Sequence, residues 1–295
     1  MKLKAIVCLL LLSATNLAAQ DLWSLADSLQ SQPSGSKYTS ASFKTTRLIN
    51  FHTLETLGKR TLDFRISHRF GPINSGSYNA WGIDGPANIR LSLEYSYDGR
   101  LMFGIGRSSY EKLVDGFLKY RLLRQTIDGK MPVSVTLFAG TYYTAQHDPN
   151  EAVHGYDKYQ EGVHRFSYNY QVIAGRKFSN AFTLQAAPWM VHYNLVESKE
   201  DKNNAYGIAF VTRYKFAKRH SLTFEYGLRL NDYSTTDYYN SMGIGYEVET
   251  GGHVFQVHVT NSFGIAESQY FAHTDTKWAD GGIRIGFNIS RVFTL

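Results

Sequence analysis

From about residue 60 to its last residue, the sequence alternates between apolar and polar side chains, and this limits what the chain can fold into. In Asn88–Tyr97 one face carries Ile89, Leu91, Leu93, Tyr95 and Tyr97, and the other carries Asn88, Arg90, Ser92, Glu94 and Ser96. Leu222–Leu230 repeats the pattern, with Thr223, Glu225, Gly227 and Arg229 on the polar face. Ile283–Ser290 does the same. A period of two is the signature of β-strands with two unlike faces. Nowhere do eighteen apolar residues run together, so a membrane-crossing helix is not expected. In a soluble sandwich the apolar face would meet a core, and in a membrane barrel it would meet lipid while the polar face lines the lumen. Three features favour the barrel. Segments such as 165–178, 182–196 and 205–216 are long enough to cross a bilayer at a tilt. Apolar faces end in rings near the turns, at Tyr97, Phe178, Phe182 and Phe216, as an interfacial girdle would. The chain also ends on an amphipathic strand with Phe293 and Leu295 in phase, resembling the signal read by the barrel assembly machinery of Gram-negative bacteria. Aromatic residues make up 15% of the chain, which suits this placement.

The start of the chain points to export. Lys2 and Lys4 precede the apolar run 5–12, and the small and polar residues 13–20 follow, which reads as a signal peptide over 1–20. The single cysteine, Cys8, falls inside it, so the mature chain has no disulfide, thiolate metal site or cysteine nucleophile. Without Lys2 and Lys4, 29 of the 31 basic residues remain against 25 acidic ones, a net charge of +4. That mild excess gives no support to nucleic-acid binding.

Loop lengths give a strand count. Working back from Leu295, strands are expected at 281–295, 253–262, 240–249, 220–230, 205–216, 181–196, 163–178, 132–144, 113–124, 100–109, 87–97 and 60–70. The turns 98–99, 125–131, 179–180, 217–219 and 250–252 are short and fall on the periplasmic side; Asp98-Gly99 is a strong hairpin signal. The longer segments 71–86, 145–162, 197–204, 231–239 and 263–280 are expected outside, with 110–112 an unusually short external link. The fold expected is therefore an all-β antiparallel transmembrane barrel of twelve strands over 59–295. The strand-like 43–55 breaks the parity, so 21–58 is read as a periplasmic or lumen segment with a short helix at 22–29 and a linker. If 43–55 were a full lipid-facing strand, fourteen strands would follow.

The lumen face should then carry Asp63, Arg65, Arg69, Arg90, Glu94, Asp115, Lys119, Arg121, Arg213, Glu225, Arg229, Glu247 and Arg284. Arg90 and Glu94 share a face four residues apart, as do Glu225 and Arg229. One reading is a salt-bridge network that fills a narrow barrel. The other is a polar pathway favouring anions, since basic residues are in excess. His147, His154 and His164 around loop 145–162 match no standard metal spacing and read as part of a solvated loop, so no metal or cofactor is expected. His253 and His258 fall on opposite faces of one strand. His68 sits on the apolar face near a rim, where an interfacial hydrogen-bonding role is expected. Ser67-His68 and His273-Thr274-Asp275 are the nearest approach to a rim hydrolase site, and no nucleophile elbow, zinc-protease motif or phosphate loop occurs. Gly104 and Gly106 read as easing barrel curvature.

The segments Phe43–Arg47, Asp63–Gly71, Gly106–Ser109 and Asp115–Tyr120 together resemble a Bacteroidota family of outer-membrane β-barrels known only as a domain of unknown function. The resemblance covers most of the mature chain and is densest over 43–125. It implies an outer-membrane barrel and no particular activity. The function expected is a non-enzymatic barrel for passage or binding of a small or lipidic molecule. A lipid-modifying hydrolase and a structural or adhesive barrel acting through its loops are the alternatives. The partners expected are outer-membrane lipid, the barrel assembly machinery and a small-molecule ligand.

Overall fold

The computed structural model describes residues 37–148 and 150–295. The expected signal peptide over 1–20, the helix at 22–29 and the linker up to residue 36 lie outside the described residues. Twelve antiparallel strands close into one barrel: β1 (Thr61–Pro72), β2 (Asn88–Ser96), β3 (Leu101–Ser108), β4 (Leu113–Leu123), β5 (Ser134–Thr144), β6 (Phe166–Lys177), β7 (Phe182–Tyr193), β8 (Asn204–Ala217), β9 (His220–Arg229), β10 (Ser241–Thr250), β11 (His253–Thr260) and β12 (Arg284–Thr294). Each strand pairs with its sequence neighbours, and β1 closes the ring on β12 with Thr61 opposite Thr294 and Ile66 opposite Ile289. The count is the twelve expected.

Alternation decides which way each side chain points. Along β2 the polar residues are buried and Ile89, Leu91 and Leu93 are exposed. On the outer surface Ile105 is 64% exposed and Val257 57%. A soluble protein would not leave a continuous apolar band in water, and lipid is the solvent that suits it. Among the described residues no helix is long and apolar enough to cross a membrane, so the crossing is made by strands.

The short turns cluster at one end, together with the start of β1 and the end of β12. Gly99 takes a φ of +85°, which the Asp98-Gly99 hairpin requires. The exposed Asp98 carboxylate accepts from the amides of Leu101 and Arg100 at 2.7 and 2.8 Å, and those bonds hold its pKa below the usual carboxylate value. Phe178 and Phe182 face each other at 5.9 Å beside the Ser179-Asn180 turn, and Tyr97 and Phe216 stand exposed at the same end. A ring of aromatics of this kind suits a membrane–water interface.

Two expectations at the opposite, outer end need correction. Strand β6 begins at Phe166 rather than 163, because 162–165 forms a 3-10 turn capped by Glu161 and His164. More important, 263–280 is not a freely projecting loop. Residues 264–272 are all buried, including the helical turn Glu267–Tyr270, because the segment folds back into the barrel mouth.

Candidate functional site

The lumen is filled from both ends. From the turn end, residues 37–39 pair with the β4–β5 connection, where the Thr39 amide donates to the Gln125 carbonyl at 2.9 Å. The chain then enters the barrel and reverses at 48–51, with the Leu48 amide donating to the Phe51 carbonyl at 3.0 Å and the Thr53 amide to the Thr46 carbonyl at 2.9 Å. It returns to the turn end, where the Thr56 hydroxyl donates to the Gly99 carbonyl at 2.7 Å, and enters β1. The segment 43–55 is thus a lumen insert and not a thirteenth strand.

Irregular backbone at membrane depth must find its hydrogen-bond partners inside the protein, and the strand side chains provide them. Glu225 accepts from the amides of Asn50 at 2.9 Å and Phe51 at 3.0 Å. Arg69 donates to the Ile49 carbonyl at 2.6 Å and Arg65 to the Arg47 carbonyl at 2.8 Å. Lys119 donates to the carbonyls of Thr46 at 3.1 Å and Glu55 at 2.6 Å. Arg121 pairs with the Glu55 carboxylate at 2.8 Å, and Glu94 accepts from the Thr46 hydroxyl at 2.6 Å. Six of the lumen charges named from the sequence therefore hold the insert. Others pair across the wall, as Arg90–Asp115 at 2.5 Å and Arg213–Glu247 at 2.9 Å, and Asp63 lies 3.3 Å from Arg65.

From the outer end comes the β11–β12 segment. Its Glu267 lies at the junction of the two inserts. The Glu267 Oε1 is 2.7 Å from Arg47 and accepts from the Tyr270 hydroxyl at 2.8 Å, while Oε2 accepts from the Tyr142 hydroxyl at 2.7 Å. Arg47 also donates to the Ile265 carbonyl at 3.0 Å. His52 Nε2 faces Arg47 at 2.8 Å, and Nδ1 faces the Thr46 carbonyl at 3.3 Å. The same Nε2 lies 3.3 Å from Glu267 Oε1, so the ring sits at the centre of the Arg47–Glu267 contact. Around this polar joint the rings of Phe51, Tyr270, Phe271 and Trp189 stack at 4.5 to 5.0 Å. Both inserts are therefore fastened to the wall and to each other.

Above the joint, the outer mouth forms a cup of about 380 Å³ lined by Tyr110, Glu111, Tyr193, Tyr238, Gln269 and His273, among others. His273 is stacked between Tyr193 at 4.7 Å and Tyr238 at 4.8 Å. Burial lowers its pKa to about 4, reinforced by Lys158 and Arg229 and opposed by Glu197, so the ring is neutral at neutral pH. The Tyr193 hydroxyl donates to the Ser268 carbonyl, tying the cup wall to the insert below. Glu111 is held with φ of +55° and the next residue, Lys112, with +47°. Each such conformation costs a non-glycine residue about 1 kcal/mol. The twist lets a three-residue link turn the Glu111 carboxylate inward, where it accepts from Gln269 Nε2 at 2.9 Å, and burial raises its pKa.

The structure gathers Asp63, Arg65, Arg69, Arg90, Glu94, Asp115, Lys119, Arg121, Arg213, Glu225, Glu247 and Arg284 as buried residues of the lumen wall. Arg229 is half-buried at the outer end, donating to the Tyr238 carbonyl at 2.9 Å. The two same-strand couples do not pair. Four residues along a strand span roughly 13 Å, so Arg90 turns to Asp115 on β4 and Glu225 to the insert. Arg284 packs over the Phe263 ring at 4.6 Å. Gly106 leaves the space that the Arg90 guanidinium fills, and Gly104 faces the Phe117 ring, so both are needed for clearance rather than curvature. Ser67 is buried in the lumen, while His68 faces outward and stacks on Phe287 at 5.0 Å, so the two do not meet. His258 is buried in the lumen and His253 faces outward near Phe255. Among the described residues no group of three His, Cys, Asp or Glu side chains is placed to hold a metal ion. Sequence reasoning missed Arg47, His52, Tyr142, Glu267 and Tyr270. The nearest signal was the dense aromatic pair Tyr270-Phe271 inside a segment expected to be external.

A family described as "Membrane bound beta barrel domain (DUF5777)" matches residues 43–293, a span that includes the N-terminal insert. No curated protein matches the chain. Among solved structures, the chain is similar to the NanC porin at 10% identity, over 79% of this chain and 99% of that one, with a TM-score of 0.48. It is similar to the KdgM porin at 7% identity, over 80% and 99%, with a TM-score of 0.45. It is also similar to outer membrane phospholipase A from Escherichia coli at 10% identity, over 78% and 92%, with a TM-score of 0.44.

Proposed function

The chain belongs to this family of membrane-bound β-barrel domains, and from that premise we propose that it is a gated outer-membrane barrel: it receives a small molecule in its outer cup and passes it when the lumen inserts move aside. The Arg47–Glu267 contact carries this reading, because it joins a segment entering from the periplasmic end to one entering from outside. Beside the apolar packing of Phe43, Leu48, Phe51 and Leu54, the insert meets the wall through many hydrogen bonds. Each of these bonds to a charged side chain contributes about 1.5–3 kcal/mol net, because water replaces the lost partner when the contact opens. A plug held in good part by exchangeable polar bonds can therefore move at a lower cost than a wholly apolar core. The neutral, stacked His273 and the inward Glu111 give the cup walls able to hold a small organic molecule.

The reading is non-enzymatic. It is supported by the separation of Ser67 from His68 and by the tyrosines that stack on His273. Export through a signal peptide, suggested by residues 1–20, and a Bacteroidota origin, suggested by Phe43–Arg47, Asp63–Gly71, Gly106–Ser109 and Asp115–Tyr120, belong to the same proposal. Liposome swelling tests it. Wild-type protein should admit small neutral and charged solutes slowly, and Arg47→Met, which unties the inserts, should speed their entry severalfold. If Arg47→Met leaves folded barrels as impermeable as the wild type to every solute, the proposal of passage fails.

A further inference from the structure

At the periplasmic rim, a second cleft of about 370 Å³ opens beside the foot of β4, lined by Lys37, Tyr38, Arg100, Leu122, Arg124 and Met131, with Lys130 at its edge. Its chemistry is unlike that of the lumen. The half-buried Arg124 guanidinium lies over the Tyr38 ring at 4.4 Å, and among the described residues it has no hydrogen-bond acceptor or carboxylate. The exposed Lys37 ammonium forms no ion pair within 4 Å among the described residues, though the Asp128 carboxylate attracts it. Arg100 uses two of its guanidinium nitrogens on the carbonyls of Arg121 at 3.3 Å and Leu122 at 3.0 Å, and its third has no acceptor among the described residues. On the exposed edge the Asp128 carboxylate accepts from Thr126 and the Lys130 amide, lies 3.7 Å from the Lys130 ammonium and also attracts Lys37. Four cations thus surround a concavity in which a guanidinium, with five donors in a fixed fork, has no anion to bind.

The apolar side of the cleft points to the source of that anion. Leu122 lies on the lipid-facing side of β4 and is 43% exposed, and Tyr120, two residues along the same face, carries Arg100 over its ring at 5.8 Å. The cleft is therefore continuous with the surface that acyl chains cover, at the level of the inner-leaflet headgroups. We propose that it binds the phosphate of an anionic phospholipid, with Arg124 and Lys37 on the phosphate oxygens and one acyl chain along Leu122. Guanidinium–phosphate bonds are charge-assisted and geometrically specific, and basic side chains at a bilayer surface favour anionic lipid.

The test uses the full chain in detergent, with phosphatidylglycerol, phosphatidylcholine or inorganic phosphate as probes and native mass spectrometry as readout. Wild type should retain phosphatidylglycerol in preference to phosphatidylcholine, and excess inorganic phosphate should not displace it. Combining Arg124→Gln with Lys37→Gln should weaken phosphatidylglycerol retention by at least about tenfold, the effect of losing one or two charge-assisted bonds. Arg124→Lys, which keeps the charge but loses the fork, should fall between the two. A heat-dependent gel shift identifies folded barrels, and the comparison of the two lipids on wild type stands without any variant. Equal retention of both lipids by wild type would overturn the proposal, as would unchanged retention in the folded double variant. Displacement by inorganic phosphate alone would overturn it too, making the cleft a site for free phosphate.

Discussion

Glu267 shows how much rests on single residues here. Its carboxylate receives Arg47, Tyr142 and Tyr270 in a place closed to solvent. Replacing it with Gln keeps the size and removes the charge, which leaves Arg47 buried without its counter-ion. Breaking one side of such a pair costs about 3–5 kcal/mol. The strands do not depend on it, so the loss should fall on the inserts. Trypsin cleavage at Lys44 and Arg47 should rise on the order of a hundredfold in Glu267→Gln, if the opened fraction sets the rate, while the strands stay intact. Unchanged cleavage would mean that Glu267 does not fasten the insert. His273 gives a pH dependence with a definite sign. Its folded pKa is about 4 and its unfolded value about 6.5, so between these the unfolded state binds more protons. The outer cup should be fully stable above about pH 6.5 and lose stability as pH falls toward about 4. Proteolysis of the β11–β12 segment across that range should show the trend, and His273→Phe should flatten it. The residues that matter most here were the least legible in the sequence. Arg47 and Glu267 are far apart in the chain, and neither lies on an alternating strand. Arg90, Glu225 and the other lumen charges were legible because period two fixes the face of every strand residue. Their partners were not, because partners depend on what enters the lumen.

At the scale of elements, the strands follow from the alternation and the inserts do not. Asp98-Gly99 and Ser179-Asn180 announce hairpins by their own chemistry, so the strand order followed from the turns. The insert 43–55 has strand-like composition but fails the parity of a closed barrel, and that placed it apart from the wall without showing its path. The segment 263–280 was misjudged because a long connection at the outer end normally projects, and only tertiary packing draws this one in. The fit between insert and wall is close. A Cβ on Gly243 would lie 3.0 Å from the Ile49 Cδ1 and 3.2 Å from the Glu225 Cγ. Gly243→Val should therefore push the insert aside, at about 1–3 kcal/mol for an overpacked site. With Leu48→Cys as a reporter in a Cys8→Ser background, maleimide labelling should quicken at least severalfold. Adding Ile49→Ala should restore slow labelling, because it removes the methyls that Val would meet. Fast labelling that Ile49→Ala does not slow would show that Gly243 acts on the strand and not on the insert.

For the whole molecule, the apolar residues have two destinations. Many of the aromatic and aliphatic side chains face lipid, as Ile105 and Val257 do, while Phe51, Trp189, Tyr270 and Phe271 form a small core inside the lumen. The basic excess that suggested an anion pathway is largely taken up inside the barrel, where Arg65, Arg69 and Lys119 donate to insert carbonyls rather than facing open water. The molecule is thus a barrel closed from both ends, with a cup above the closure and a basic cleft at its foot. Planar-bilayer conductance tests that closure most directly. Wild-type protein should show a closed baseline with at most rare openings, and Arg47→Met should open it more often. A steady, wide-pore conductance from folded wild-type barrels would contradict the account, because a lumen filled by both inserts cannot carry it.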